Sequence, residues 1–319
     1  VRALITGVCG QDGSYLAEHL AASGHTVFGL VRGQPNAKRA WIERLVPGIK
    51  LVEGDLLDQS SLQRALAASE PDVVYNLGAI TYVGMSWQQP TVMSEVTGLG
   101  VLRLLEAVRE VNPRVRVVHA SSSEMFGDAQ ESPQTETTRL APRSPYGVAK
   151  CYAHHMVRNY RDSYGLFAAT VIMFNHESPR RGTEFVTRKV TRAAARISQG
   201  QQRFLDLGNV DSRRDWGWAP EYMTALPLVA HHTEPDDFVV ATGESHSVRE
   251  LVAEAFSAVE LDYRNHLRIR DNLYRPADVD HLQGDASKIR RTFGWQANVA
   301  FGQVVRLLVA HDLTTVVAA

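Results

Sequence analysis

The chain has 319 residues, 44% of them hydrophobic and 22% charged, with a formal net charge of −1. That length exceeds what one core usually serves, so one large domain with an appended lobe, or two domains, is expected. The near-neutral balance gives no electrostatic case for nucleic acid or an anionic membrane surface. No apolar run reaches the ~18 residues a spanning helix needs. The opening VRALITG reads as a strand rather than a signal peptide. Cys9 and Cys151 lack metal-ligand spacing, so no metal site is expected, and so low a cysteine count fits a reducing cytoplasm.

In chain order, RALIT, TVFGLV, IKLVEG, DVVYNLGA and VRVVHAS read as strands, rich in β-branched residues and closed by turn or polar residues. Between them GSYLAEHLAAS, SSLQRALAAS and GLGVLRLLEAVREV carry apolar residues at helical spacing. A helix around Tyr146 and a strand over 168–173 continue the alternation. Strand after helix after strand predicts an α/β fold: a Rossmann-type doubly wound parallel sheet covered on both faces. From about residue 175 the pattern is mixed, with a loop (SPRRGTEF), a helix (VTRKVTRAAARISQ), a short strand (RFLDLG) and then DSRRDWGWAP. Residues 1–174 are expected to form the dinucleotide-binding domain and 175–319 mainly a smaller mixed substrate lobe. Segments within about 210–243, DDFVVATG among them, return to the sheet. Helices near 248–259 and 301–312 read as structural.

The first strand runs into TGVCGQDG, where Gly7, Gly10 and Gly13 precede a helix. Glycines at that junction permit a tight turn and a close approach of pyrophosphate to backbone N–H groups at the helix start. The second strand ends in Arg32, where an acidic residue would suit the ribose of NAD. An arginine suits the 2′-phosphate of NADP, the alternative being a solvated side chain. Asp55 and Leu56, after the third strand, are placed to meet adenine. Leu77, Gly78, Ala79 and Thr81, after the fourth, are placed beside the nicotinamide ribose.

ASSSEMFG follows the fifth strand, which puts Ser121, Ser122, Ser123 and Glu124 at a carboxyl end, where open parallel sheets bind ligands. SPYGVAK holds Tyr146 and Lys150 four residues apart, on one face of a helix. Alone, the pair is two unremarkable helical residues. Beside the serines it is a candidate for alcohol oxidation by hydride transfer, with the tyrosine as base and the lysine lowering its pKa and gripping the cofactor ribose. Glu124 admits two readings. It caps a turn or pairs with an arginine, or it removes a carbon-bound proton made acidic by a new ketone and passes it to a leaving hydroxyl.

Together these residues resemble the extended branch of the short-chain dehydrogenase/reductase superfamily. ALITGVCGQDGSYLAEHL, ASSSEMFG, PRSPYGVAK, FNHESPRRGTEFVTRKVT, LGNVDSRRDWG, ATGESHSVRE and YRPADVDHLQGD narrow the resemblance to the GDP-mannose 4,6-dehydratase family. It implies a lyase that turns GDP-mannose into GDP-4-keto-6-deoxymannose through tightly bound NADP. In that scheme Tyr146 takes the 4-hydroxyl proton, Ser122 hydrogen-bonds that hydroxyl, Glu124 acts at C5 and C6, and Lys150 supports the tyrosine. By the same resemblance Gly7 to Asp12, Gln11 included, with Arg32, Asp55, Leu56, Leu77 to Thr81, Tyr146, Lys150, His176 and Arg181, would bind NADP. His176, just past a strand, also reads as a packed histidine. Ser86, Asn175, Lys189, Arg214 and Arg275 would hold the GDP-sugar, cations suiting a diphosphate. A homodimer or homotetramer is implied.

Departures from the family pattern are Ile80 for a glutamine, Val92 for an aromatic, and the acid swaps Glu221 and Asp278. GQPNAKRAW, after Arg32, lacks the second arginine and paired serines typical there, which leaves open NADP against NAD and dimer against tetramer. The competing functions on the same fold are a dehydratase of another GDP-linked sugar such as a heptose, and a GDP-4-keto-6-deoxy-sugar reductase or epimerase. A catalytically silent binding module would be expected to have lost the tyrosine, the lysine or the acid.

Overall fold

The computed structural model describes residues 1–33 and 37–317. Gln34, Pro35 and Asn36, in the loop after Arg32, lie outside the described residues.

The first half of the chain alternates strand and helix. It runs β1 (Arg2–Thr6), α1 (Gln11–Ala22), β2 (Thr26–Val31), α2 (Ala37–Leu45), β3 (Lys50–Glu53), α3 (Gln59–Ser69) and β4 (Val73–Asn76). Two short helices follow, α4 (Val83–Ser86) and α5 (Pro90–Met93), and then α6 (Gly100–Val111), β5 (Arg116–Ser122), α7 (Pro145–Tyr164) and β6 (Ala168–Met173). The helix expected from GLGVLRLLEAVREV starts earlier than its sequence signal, through a π turn over Ser94–Leu99. Such turns tend to fall near functional sites, and this one packs against α7.

Past β6 the chain forms β7 (Asn175–Glu177), α8 (Val186–Ser198), β8 (Leu205–Leu207), β9 (Arg213–Arg214), β10 (Trp216–Trp218), α9 (Ala219–Ala230) and β11 (Asp237–Val240). The remainder is β12 (His246–Ser247), α10 (Val248–Ser257), β13 (Leu267–Ile269), α11 (Ser287–Phe293) and α12 (Phe301–Val317). Seven strands make one sheet in the order β11-β6-β5-β4-β1-β2-β3. Every neighbouring pair is parallel. β11, from the DDFVVATG segment, extends the sheet beyond β6. The strand order reverses between β1 and β4, which opens a crevice at their carboxyl ends.

Both faces of the sheet are buried, as parallel strands require. Ala3 and Ile5 of β1, Val118 and Ala120 of β5, and Val171 of β6 point to one face, under Leu16, Leu20, Tyr222, Leu226 and Ile289 of α1, α9 and α11. Leu4, Val74 and Val117 point to the other, under Leu62, Leu66, Leu104, Val108, Ala153 and Val157 of α3, α6 and α7. Each buried Val, Leu or Ile among them contributes roughly 1.5–3 kcal/mol. A separate cluster joins α8, α10 and α12 around Val190, Leu207, Trp216, Leu251, Phe256 and Val305. Among the described residues no helix is long and apolar enough to cross a membrane.

One buried carboxylate ties β9 and β10 to the end of the sheet. Asp215 has no solvent exposure. It accepts bonds from Thr242 N–H (2.9 Å) and hydroxyl (2.7 Å), Gly243 N–H (3.0 Å) and Gly284 N–H (3.2 Å). Burial pushes its carboxyl up to about 6 against the pull of those donors. Asp215→Asn would turn an amide NH₂ toward donors that need an acceptor. It should cost about 2–4 kcal/mol in a urea titration. A loss below ~0.5 kcal/mol would show that the surrounding backbone does not depend on the charge.

Candidate active site

A cleft of about 610 Å³ opens at the carboxyl ends of the strands. Its walls bring together Asp12, Leu77, Thr81, Ser122, Glu124, Tyr146 and Lys150 from the sheet side. Asn175, His176, Arg181, Lys189, Arg214 and Arg275 face them from later in the chain. The glycine turn makes the inner end possible. Gly7 has φ +69°, and a Cβ there would lie 2.8 Å from both Gly78 N and Leu77 O. A Cβ on Gly13 would meet Gly7 O at 2.3 Å, so that glycine allows α1 to pack onto the strand end. Gly10 caps α1 without a side-chain bond, which leaves first-turn N–H groups free for an anion. This glycine-lined turn with an uncapped helix start fits a dinucleotide pyrophosphate.

Other expected residues stand outside these walls. Gly10, Gly78 and Ala79 belong to the turns after β1 and β4, and Gln11 opens α1 with its side chain on His176 O (3.2 Å) and Ser178 Oγ (2.8 Å). Asp55 forms a local turn with Leu57 N–H at 3.0 Å, and Leu56 is buried against Gly78 and Gly100. Arg32 is exposed at the end of β2. Ser86 is buried, with its hydroxyl donated to Val83 O at 2.7 Å, so its side chain serves α4 rather than the cleft.

The helix that carries Tyr146 and Lys150 has a strong start. Ser144 accepts Gly147 N–H at 3.0 Å, and Pro145 occupies the first turn. A Cβ on Gly147 would lie 2.6 Å from Glu124 O, so the absence of a side chain lets α7 dock directly on the Glu124 turn. Glu124 N–H donates to Ser122 Oγ at 3.3 Å. Ser122 therefore caps the turn and leaves the Glu124 carboxylate on the cleft wall. Among the described residues that carboxylate forms no ion pair, although its charge acts on both Tyr146 and Arg214.

Burial pushes the Tyr146 phenol up to about 12, with Ser122 and Arg181 pulling it down and Glu124 and Asp12 raising it. Burial draws the Lys150 ammonium down to about 8, against Asp12. Lys150 Nζ donates to Ala120 O at 2.6 Å. One N–H of the ammonium is thus held by the β5 backbone, and the charges that act most on the phenol are those of Glu124, Arg181 and Asp12.

His176 is both packed and paired with an acid. Its ring stacks on Tyr222 at 4.9 Å, Nδ1 donates to Phe174 O at 2.7 Å, and Nε2 lies 3.0 Å from Asp12 Oδ2. Burial alone would raise Asp12, but His176 brings it down to about 2. Burial alone would lower His176, but Asp12 raises it. At the far end Arg214 is buried and donates to Val279 O at 2.7 Å, with Asp278 3.5 Å from it and 3.7 Å from Arg275. Lys189 is exposed on the cleft wall, and partial desolvation lowers its pKa against the pull of Asp206.

Sequence reasoning missed Glu177, Phe185 and Trp216 on the cleft wall. Glu177 is buried, accepts Thr187 Oγ1 at 2.5 Å and sits 3.5 Å from Arg181 Nε. The Arg181 guanidinium lies 3.6 Å over the Phe185 ring. The signal was present, since an acid directly before SPRRG invites an arginine partner. Among the described residues no group of three or more His, Cys, Asp or Glu is arranged to hold a metal ion.

The family model described as GDP-mannose 4,6 dehydratase matches residues 4–308. GDP-mannose 4,6 dehydratase 1 of Arabidopsis thaliana is 46% identical over 98% of this chain and 89% of its own length. GDP-mannose 4,6 dehydratase of Homo sapiens is 43% identical over 98% of this chain and 91% of its own. Among solved structures, the Thermus thermophilus UDP-glucose 4-epimerase complex with NAD superposes with a TM-score of 0.84 at 28% identity, covering 98% of this chain and 99% of that one.

The Asp12–His176 pair gives a test of the site's electrostatics. The depressed Asp12 contributes stability that is present above about pH 4 and is lost as pH falls through its folded value of about 2. The raised His176 contributes stability that is present below its ordinary ~6.5 and is lost as pH rises through its folded pKa. Asp12→Asn should therefore destabilise most between about pH 4 and 6.5, and should drop the His176 pKa below the ordinary value in an NMR titration. An unchanged His176 titration would show that Asp12 does not hold it.

Proposed function

The chain belongs to the GDP-mannose 4,6-dehydratase family, and we propose that it converts GDP-mannose to GDP-4-keto-6-deoxymannose with NADP held in the cleft. It is a hydro-lyase of nucleotide sugars that works with a nicotinamide cofactor. The observation that carries the mechanism is the meeting, in one cleft, of a Ser122–Tyr146 pair and a Glu124 carboxylate without an ion-pair partner among the described residues.

The glycine turn, with Asp12, Lys150, His176 and Arg181 on the cleft wall, would hold a nicotinamide cofactor, whose chemistry is reversible hydride exchange with sugar carbons C4 and C6. Ser122 holds the 4-hydroxyl, and Tyr146 accepts its proton. The resulting 4-ketone acidifies the C5 proton, which Glu124 removes. Glu124 then protonates the departing 6-hydroxyl, which leaves as water. Release of the proton held by Tyr146 and return of one proton to C5 close the sequence, with no net oxidation. Arg214, Arg275, Lys189 and Asn175 are assigned to the GDP moiety, where cations and an amide suit a diphosphate and ribose. Among the described residues the buried Asn175 Oδ1 has no partner, as a ligand-facing acceptor would.

NADP rather than NAD is supported by the cations around the end of β2. Arg32 is exposed there, Arg39 of α2 sits 3.6 Å from Glu53, and the charge of Lys38 reaches Cys9 of the glycine turn. In this reading 1–174 hold the cofactor and 175–319 chiefly the nucleotide sugar. A homo-oligomer is supported by Val148 and Tyr152, exposed one turn apart on α7, with exposed Val92 on the adjoining α5. Two free cysteines fit a cytoplasmic setting.

Purified protein given GDP-mannose and catalytic NADP should release one water per sugar, by mass, with no net NADPH. NADPH consumed on a GDP-4-keto sugar, without water loss from GDP-mannose, would establish the reductase instead. Glu124→Gln should cut dehydration by about 10²–10⁴-fold and leave NADP affinity unchanged. Full-rate dehydration by that variant removes Glu124 from C5. NADP should bind at least about tenfold tighter than NAD in calorimetry, and Arg32→Ala with Lys38→Ala should erase most of that ratio.

A further inference from the structure

We infer that the C-terminal helix α12 positions the cofactor-facing Arg181, through a buried Asp312–Arg188 pair that fixes the 178–185 loop. This inference rests on the reading that Arg181 meets the dinucleotide.

The loop is anchored from two sides. On the α1 side, Ser178 Oγ donates to Gln11 Oε1 at 2.8 Å. Arg180 donates to Ser14 Oγ at 3.0 Å and Glu18 Oε2 at 2.5 Å, with its guanidinium 3.8 Å over the Tyr15 ring. These contacts join the loop to the helix that starts at the glycine turn. On the other side stands Arg188, only 4% exposed, in the first turn of α8. Its Nη1 donates to the carbonyls of both Pro179 and Arg181, and its Nη2 pairs with Asp312 Oδ1. Asp312 is fully buried on α12, and its second oxygen accepts Thr191 Oγ1 at 2.7 Å.

Helix packing alone does not call for this arrangement. α8 and α12 already share an apolar seam through Val190, Ala194, Val305 and Val309. A buried ion pair is often no more stabilising than apolar residues of the same volume. Its distinctive product is geometric. The planar guanidinium meets a carboxylate with one nitrogen and two loop carbonyls with the other, which a lysine cannot reproduce. Those carbonyls bracket Arg180, and the second belongs to Arg181, whose charge reaches Asp12 and Tyr146. An internal-redox enzyme must keep its cofactor through every turnover, so a loop held from both sides serves retention.

The test uses the full chain and Arg188→Lys, which keeps a cation opposite Asp312 and loses the fork. NADP affinity is measured by calorimetry, and retention by the nucleotide absorbance left after desalting loaded protein. The expected result is a Kd for NADP raised about tenfold or more, early loss of nucleotide on desalting, and kcat at saturating NADP reduced less than about threefold. A purely structural role would lower the unfolding midpoint and leave the Kd unmoved. A Kd within about twofold of wild type, while Arg181→Ala weakens NADP, overturns the inference and spares the site reading. If Arg181→Ala binds NADP normally, the site reading fails and takes the inference with it. Should Arg188→Lys not fold, Asp312→Asn is judged by the same criterion.

Discussion

The site depends on the backbone of Gly7 lying against that of Leu77 and Gly78. A single Cβ at Gly7 would close that gap, because it would sit 2.8 Å from Gly78 N. The contact lies where strand order reverses between β1 and β4. Thr6 fixes it from within the sheet, accepting Gly78 N–H at 2.8 Å and donating to Asn76 Oδ1 at 2.6 Å. Those bonds hold the two strand ends in register while the following turns part. α1 departs on one side and the Leu77–Thr81 segment on the other. The crevice for an extended dinucleotide is what remains between them.

The cleft works against its own burial. Desolvation favours the neutral forms of Tyr146 and Lys150 alike, raising one and lowering the other. Groups placed around them counter this selectively: the Ser122 hydrogen bond and the Arg181 charge favour phenolate, while Asp12 favours ammonium. Asp12 can do so because His176 keeps it ionised. A line of electrostatic influence, His176 to Asp12 to Lys150, thus runs from the β7 strand to α7. Glu124 stands apart from that chain, which leaves its carboxylate available to take and give a proton rather than to neutralise a cation.

Much of this was legible in the sequence because the signals are local. A glycine turn between a strand and a helix, or Ser-Pro-Tyr with a lysine one turn on, is fixed by neighbours within a few residues. The parallel sheet followed from alternating patterns, and its seventh strand from the apolar run of DDFVVATG. What stayed hidden depends on partners far away in sequence. Asp312 and Arg188 are 124 positions apart, and nothing in the α12 pattern distinguishes a buried acid from a surface one. Asp215 sits beside Arg214, but the four donors that define it come from two distant turns. Ser86 shows the converse. Its type suits a ligand contact, yet a four-residue helix takes its hydroxyl for Val83 O. Arg32 is informative at the end of β2, but Lys38 and Arg39 join it only once α2 is folded back.

These distant pairs matter for the chemistry because the reaction leaves its cofactor unchanged. A dehydrogenase can release reduced cofactor after each cycle. Here the same cofactor would have to be retained while C5 loses a proton and water departs from C6. Any escape of cofactor during that wait strands a 4-keto sugar. The architecture answers with restraint from outside the chemistry. α1 holds the loop through Arg180, α12 holds it through Arg188, and Asp215 pins the strands that present Arg214 and Trp216. In the proposed division of labour the second half of the chain therefore does more than bind the nucleotide sugar, since two of its buried carboxylates, Asp215 and Asp312, hold segments that wall the cleft.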